Sequence, residues 1–139
     1  MHRVQPIAGC DDLSALSGAN KEEVLFGQDV SQLQSPKVQS IAGGDYRKKY
    51  SANISGSGYV IHCLEAAAWC FWKSESFREA VLLAVNLGDD ADTTGAVCGQ
   101  IAGAFYGEEG IPAEWLARLV MVDEIRSLAD RLRVGRVSS

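Results

Sequence analysis

"NLGDDADTTGAVCGQIAGAFYG", Asn86 to Gly107, sets three aspartates within four residues against a segment built almost wholly of small side chains. Carboxylates this close repel one another, so the arrangement calls for either open solvent or a cation. One reading is local: Asp92 caps a helix that begins here, and its acidic neighbours enjoy the positive helix end. The other reading uses Thr93, which follows directly. Asp90, Asp92 and Thr93 then offer two carboxylates and a hydroxyl in a short arc, the oxygen ligands that Mg²⁺ and similar hard cations take. One acid suffices as a cap and each further one adds repulsion, which favours the cation.

Behind the aspartates, glycines stand at 95, 99, 103 and 107. Glycine in a helix interior costs ~1 kcal/mol against alanine. A four-residue repeat nevertheless lays these glycines in one stripe, where a second backbone can come close. The segment is short for a lipid span and holds Gln100, so it reads as the central helix of a bundle in water.

Both flanks carry helical periodicity. Upstream, "SGYVIHCLEAAAWCFW" places Val60, Cys63, Leu64, Ala67, Ala68 and Phe71 at the spacing of a buried helix face. Ser76 and Glu79 then form a capping box for a helix with Phe77, Val81, Leu82 and Val85 on one side. Gly88 suits its left-handed end. Downstream, Pro112 opens a helical stretch whose apolar stripe runs Trp115, Leu119, Val122, Ile125, Leu128 and Leu132. The fold class is all-α. We divide the chain into a weakly patterned N-terminal segment (1–55), a helical region (56–135) and a tail (136–139).

Bulk properties narrow the function. The 139 residues suffice for one domain, and a net charge of −5 argues against general nucleic-acid or anionic-membrane binding. Arg126, Arg131, Arg133 and Arg136 read as a solvated helix face. Four cysteines without a CxxC pair suit neither a zinc finger nor a disulfide framework. There is no secretory leader and no apolar run of membrane length. A cytoplasmic location is expected.

The Asn86–Gly107 stretch followed by "GIPAEW", with "GSGYVIHCLEAAAWCFW" upstream, resembles the C-terminal signature of the ADP-ribosylglycohydrolase family. That family includes the dinitrogenase reductase-activating glycohydrolase. The resemblance covers roughly residues 40 to 135. It implies an all-α fold around a two-metal centre of Mg²⁺ or Mn²⁺, with Asp90, Asp92 and Thr93 at metal-binding positions. Asp89, where the family often has glycine, is left as a cap or a group behind the ligands. Gly58 and Tyr59 match the segment lining the ADP-ribose pocket. His62 is expected to pack on its own helix. The implied activity is cleavage of ADP-ribosyl N- or O-glycosidic bonds in a modified protein or small molecule.

The family's N-terminal motifs, a G-D-x-x-G, a catalytic acid and a T-D-D metal run, have no counterpart here; "GCDDLS" (Gly9–Ser14) comes nearest. No catalytic residue is assigned. Two carboxylates and one hydroxyl cannot fill two near-octahedral shells. The expectation is therefore a truncated or split member that depends on a complementary N-terminal half or on self-association. The alternative is a non-catalytic remnant that folds or binds nucleotide without turnover.

Overall fold

The computed structural model describes residue 21 and residues 30–137. Among residues 30–137 six α-helices follow in order: α1 (Pro36–Ala42), α2 (Val60–Lys73), α3 (Phe77–Val85), α4 (Ala91–Tyr106), α5 (Ala113–Leu116) and α6 (Val122–Val137). Short 3₁₀ turns at Asp45–Lys48 and Ser51–Asn53 link α1 to α2. No strand occurs among the described residues, and the all-α expectation holds. Gly9–Ser14 lies outside the described residues.

The core is the mutual packing of α2, α3 and α4. Its centre is made of small side chains: Ala66, Ala67 and Cys70 from α2, Ala80 and Ala84 from α3, Cys98 and Ala102 from α4, all buried. Small residues let three backbones approach, and Phe71 fills the remaining space, edge-on to Phe105 at 5.3 Å. Ile41, Tyr46 and Ile54 close the core from the N-terminal side. This small-residue seam also corrects the reading of α2. Val60 and Leu64, expected on its buried face, are 73% and 38% exposed. The other four expected positions, Cys63, Ala67, Ala68 and Phe71, are buried.

The glycine stripe of α4 faces α3 in antiparallel register. A β-carbon at Gly103 would lie 3.8 Å from Phe77, one at Gly99 4.0 Å from Val81, and one at Gly95 only 2.7 Å from Val85. The α3 start is capped as its sequence demands, with Glu79 N–H donating to Ser76 Oγ at 3.1 Å. The return arm lands one residue early: the Glu79 carboxylate accepts from Glu75 N–H at 2.8 Å. Regular helix ends at Val85, and Gly88 (φ 83°) takes the left-handed conformation just beyond.

The stretch after Pro112 differs from the sequence expectation. Its apolar stripe is cut between α5 and α6, with Met121 at φ 60° in the left-handed region. Beyond the cut Ile125, Leu128 and Leu132 are exposed rather than buried. Arg126 anchors α6 by donating from Nε to Glu108 Oε1 at 2.7 Å. Cys63, Cys70 and Cys98 are free and buried, behaving as small hydrophobes. None of the described helices is long and apolar enough to cross a membrane.

Candidate functional site

The turn joining α3 to α4 brings the aspartates to the start of α4. Gly88 and Asp89 are consecutive left-handed residues, at φ 83° and 50°. Glycine adopts this without strain, whereas Asp is one of the few side chains that tolerate it. Asp90 then becomes the helix N-cap, but its carboxylate makes no capping hydrogen bond. Asp92, the expected cap, lies two residues past the N-cap, within the first turn of α4. The local reading of the acidic run shifts in its detail: Asp90 is the N-cap residue, while the Asp92 carboxylate meets the free backbone N–H groups of the first turn.

The two carboxylates also meet one another. Thr93 Oγ1 donates to Asp90 Oδ1 at 2.8 Å. The Asp90 carboxyl, in hydrogen-bond contact, and the backbone N–H groups of Thr93 and Asp92 hold the Asp92 carboxyl below the usual carboxylate range. Asp90, Asp92 and Thr93 are thus grouped; Asp90 is half-buried, while Asp92, Thr93 and the neighbouring Asp89 are exposed. Among the described residues no group of three or more His, Cys, Asp and Glu side chains gathers as a metal cluster. A cation here would rest on two carboxylates and a hydroxyl.

The loop before α2 packs directly on this group. Asp90 N–H donates to Gly56 O at 3.0 Å, tying the loop to the α4 start. A β-carbon on Gly58 would lie 2.8 Å from Asp90 Oδ2, so glycine is what lets the two segments meet. Next to it Tyr59 caps α2 and is half exposed. Thr94, fully buried beside Thr93, has no hydrogen-bond partner for its hydroxyl.

Three features escaped the sequence reading. His62 does not simply pack on its helix: Nδ1 is 2.9 Å from Ser57 Oγ, and the ring stands edge-on to Tyr59 at 5.0 Å. Lys37 of α1 holds its ammonium 5.6 Å from the Tyr59 ring centroid. The Gly56 carbonyl receives the Asp90 N–H. None follows from spacing, since each depends on how the pre-α2 loop folds. Two apolar cavities, of about 280 and 330 Å³, lie among α3 to α6; Trp115 lines one and Arg126 the other. Neither is lined by Tyr59 or Asp90.

The family model for ADP-ribosylglycohydrolase matches residues 9–138. The chain belongs to the ADP-ribosylglycohydrolase family. It is 46% identical over 118 residues to the ADP-ribosylarginine hydrolase Tri1 of Pseudomonas putida (strain GB-1), covering 85% of this chain and 31% of the relative. To the ADP-ribosyl-[dinitrogen reductase] glycohydrolase of Rhodospirillum rubrum it is 38% identical over 78 residues, 55% of this chain and 26% of that one. A solved structure described as an ADP-ribosylglycohydrolase-related protein complex superposes with a TM-score of 0.70 at 38% identity. It covers 84% of this chain and 42% of that one. This ADP-ribosylglycohydrolase chain spans about a third of the length of its curated relatives. Its Asp90 group and the Gly58–Tyr59 loop lie within the matched region.

Proposed function

We propose that the chain supplies one wall of an ADP-ribosyl hydrolase site, built from Asp90, Asp92, Thr93, Gly58 and Tyr59. The observation that carries the reading is the grouping of two carboxylates and a hydroxyl at the head of α4, with Thr93 Oγ1 donating to Asp90 and the Asp90 carboxylate making no capping hydrogen bond. Like charges in contact are favoured by a cation between them, and this all-oxygen set fits Mg²⁺ or Mn²⁺. The residues present fit one such ion in part, with water or another chain completing its shell and any second site. When bound, the metal supplies Lewis acidity and orientation for ribose hydroxyls and a water.

This chain's own residues would do the positioning. Asp90 and Asp92 would hold negative charge at the head of α4, and the Thr93 hydroxyl donates to the Asp90 carboxylate. Gly58 lets the pre-α2 loop lie against that carboxylate, and the half-exposed Tyr59 ring would form the rim. Cleavage at the anomeric carbon passes through an oxocarbenium-like state, which favours nearby carboxylate charge. The substrate would be an ADP-ribosylated protein or small molecule. Arginine is the first acceptor to test, since relatives 46% and 45% identical are ADP-ribosylarginine hydrolases.

The competing reading is an ADP-ribose-binding chain without turnover, favoured by the lack of an assigned proton donor. An ADP-ribosylated arginine peptide with Mn²⁺ separates the two. Release of free ADP-ribose, lost in Asp92→Asn, supports the hydrolase. Binding of ADP-ribose without release supports the second reading, and neither binding nor release removes both. Adding a separately expressed N-terminal half of a relative tests whether a complementary chain restores turnover.

A further inference from the structure

We infer that His62 is a positioning residue for the pocket rim, fixing the Ser55–Tyr59 loop so that Gly58 stays against Asp90 and Tyr59 faces the site. Its ADP-ribose consequence rests on the proposed function, but the clamp itself does not.

The loop has no regular structure, falling between the Ser51–Asn53 turn and the start of α2. It is held from two directions. On one side Asp90 N–H donates to Gly56 O. On the other, from the first turn of α2, His62 Nδ1 meets the Ser57 hydroxyl at 2.9 Å. Ser57 N–H also donates to Ser55 Oγ at 3.3 Å, drawing the loop into a tight turn. The same imidazole presses edge-on against Tyr59 at 5.0 Å, while Lys37 stands 5.6 Å from that ring. One side chain therefore touches the residues on both sides of Gly58. Because a β-carbon at Gly58 would stand 2.8 Å from Asp90 Oδ2, small shifts of this loop reach the proposed ligand carboxylate directly. A helix residue is well suited to the task, since α2 is anchored in the core by Cys63, Ala66 and Ala67.

The two contacts can be separated by substitution. His62→Asn retains a polar group able to reach Ser57 and loses the ring. His62→Phe retains the ring edge against Tyr59 and loses the hydrogen bond. His62→Ala loses both, and since His62 is exposed, all three variants should fold. Two readouts are taken: amide hydrogen exchange across 55–59 in the ligand-free protein, and calorimetric affinity for Mn²⁺ and for ADP-ribose. His62→Ala is expected to speed exchange at Ser57–Tyr59 by about threefold to tenfold, with α4 core amides unchanged. ADP-ribose affinity falls by a similar factor, and Mn²⁺ affinity falls with it, since the loop bears on Asp90. His62→Asn should recover most of the loop protection.

Unchanged exchange at 57–59 in His62→Ala overturns the proposal, as does loosening that spreads equally into the α4 core. Faster loop exchange with no ADP-ribose binding even by the wild type upholds the clamp and removes the hydrolase reading. Faster exchange with undiminished ADP-ribose affinity in His62→Ala overturns the claim that the clamp serves the ligand.

Discussion

Gly58 and Asp90 are in contact across two segments of the chain, with room for a hydrogen on Gly58 and none for a methyl, whose carbon would lie 2.8 Å from Asp90 Oδ2. This contact makes the pre-α2 loop and the head of α4 one unit. Gly58→Ala is therefore expected to displace the Asp90 carboxylate and lower Mn²⁺ affinity by about tenfold or more, as changes beside a metal ligand do. Calorimetry alongside a thermal melt checks it. The melt should move little, because the loop is at the surface.

The α3–α4 seam gives a second pair of outcomes. At Gly95 a β-carbon meets Val85 at 2.7 Å, whereas at Gly99 the nearest atom is 4.0 Å away. Gly95→Ala should destabilise by about 1–2 kcal/mol through overpacking. Gly99→Ala should stabilise by roughly 0.5–1 kcal/mol, since it removes unfolded-state freedom and fits the space. Urea unfolding of the two variants decides between this asymmetry and a uniform glycine effect.

Much of this seam was legible from sequence. The four-residue glycine period and the Ser76–Glu79 box each state a local rule that the structure obeys, apart from the early landing of the Glu79 carboxylate. Two features were not legible. Leu119, Val120 and Met121 carry no breaker, yet Met121 turns left-handed and separates α5 from α6. Lys37 reaches Tyr59 through a tertiary fold of weakly patterned sequence, so no periodicity announces it. The aspartates were legible as a group, but the cap role shifted by two positions. Asp90 rather than Asp92 became the N-cap because the left-handed Gly88–Asp89 pair starts the helix at Ala91.

Asp89 offers a third outcome. Its left-handed backbone costs about 1–2 kcal/mol in a non-glycine residue, against the 0.3–1 kcal/mol that an acid gains near a helix start. The strain is the larger effect, so Asp89→Gly should stabilise the fold by up to about 1 kcal/mol. Mn²⁺ affinity should stay within about twofold, because Asp89 stands outside the Asp90 group. Denaturant midpoint and titration together check both halves.

Buried acids set the alkaline limit. Burial pushes the thiol of Cys70 up to about 12, with a smaller push from Cys98, and burial pushes Cys98 to about 11, both from 9.0. Burial likewise takes the Tyr46 phenol from 10.0 to about 12, against a smaller opposing pull from Arg47. With folded values raised, the contribution is fully present below pH 9 and is lost as pH climbs toward the folded values. Stability should fall by about 1.4 kcal/mol per pH unit for each buried thiol between pH 9 and 11. At pH 8 both thiols should resist alkylation until denaturant is added.

The most direct test is calorimetric titration of Mn²⁺ into the wild type, Asp90→Asn, Asp92→Asn and Thr93→Val. The account predicts saturable heat for the wild type, abolished in the two asparagine variants and weakened in the valine variant. Absence of saturable heat through the millimolar range, or identical heat in all four proteins, would contradict it.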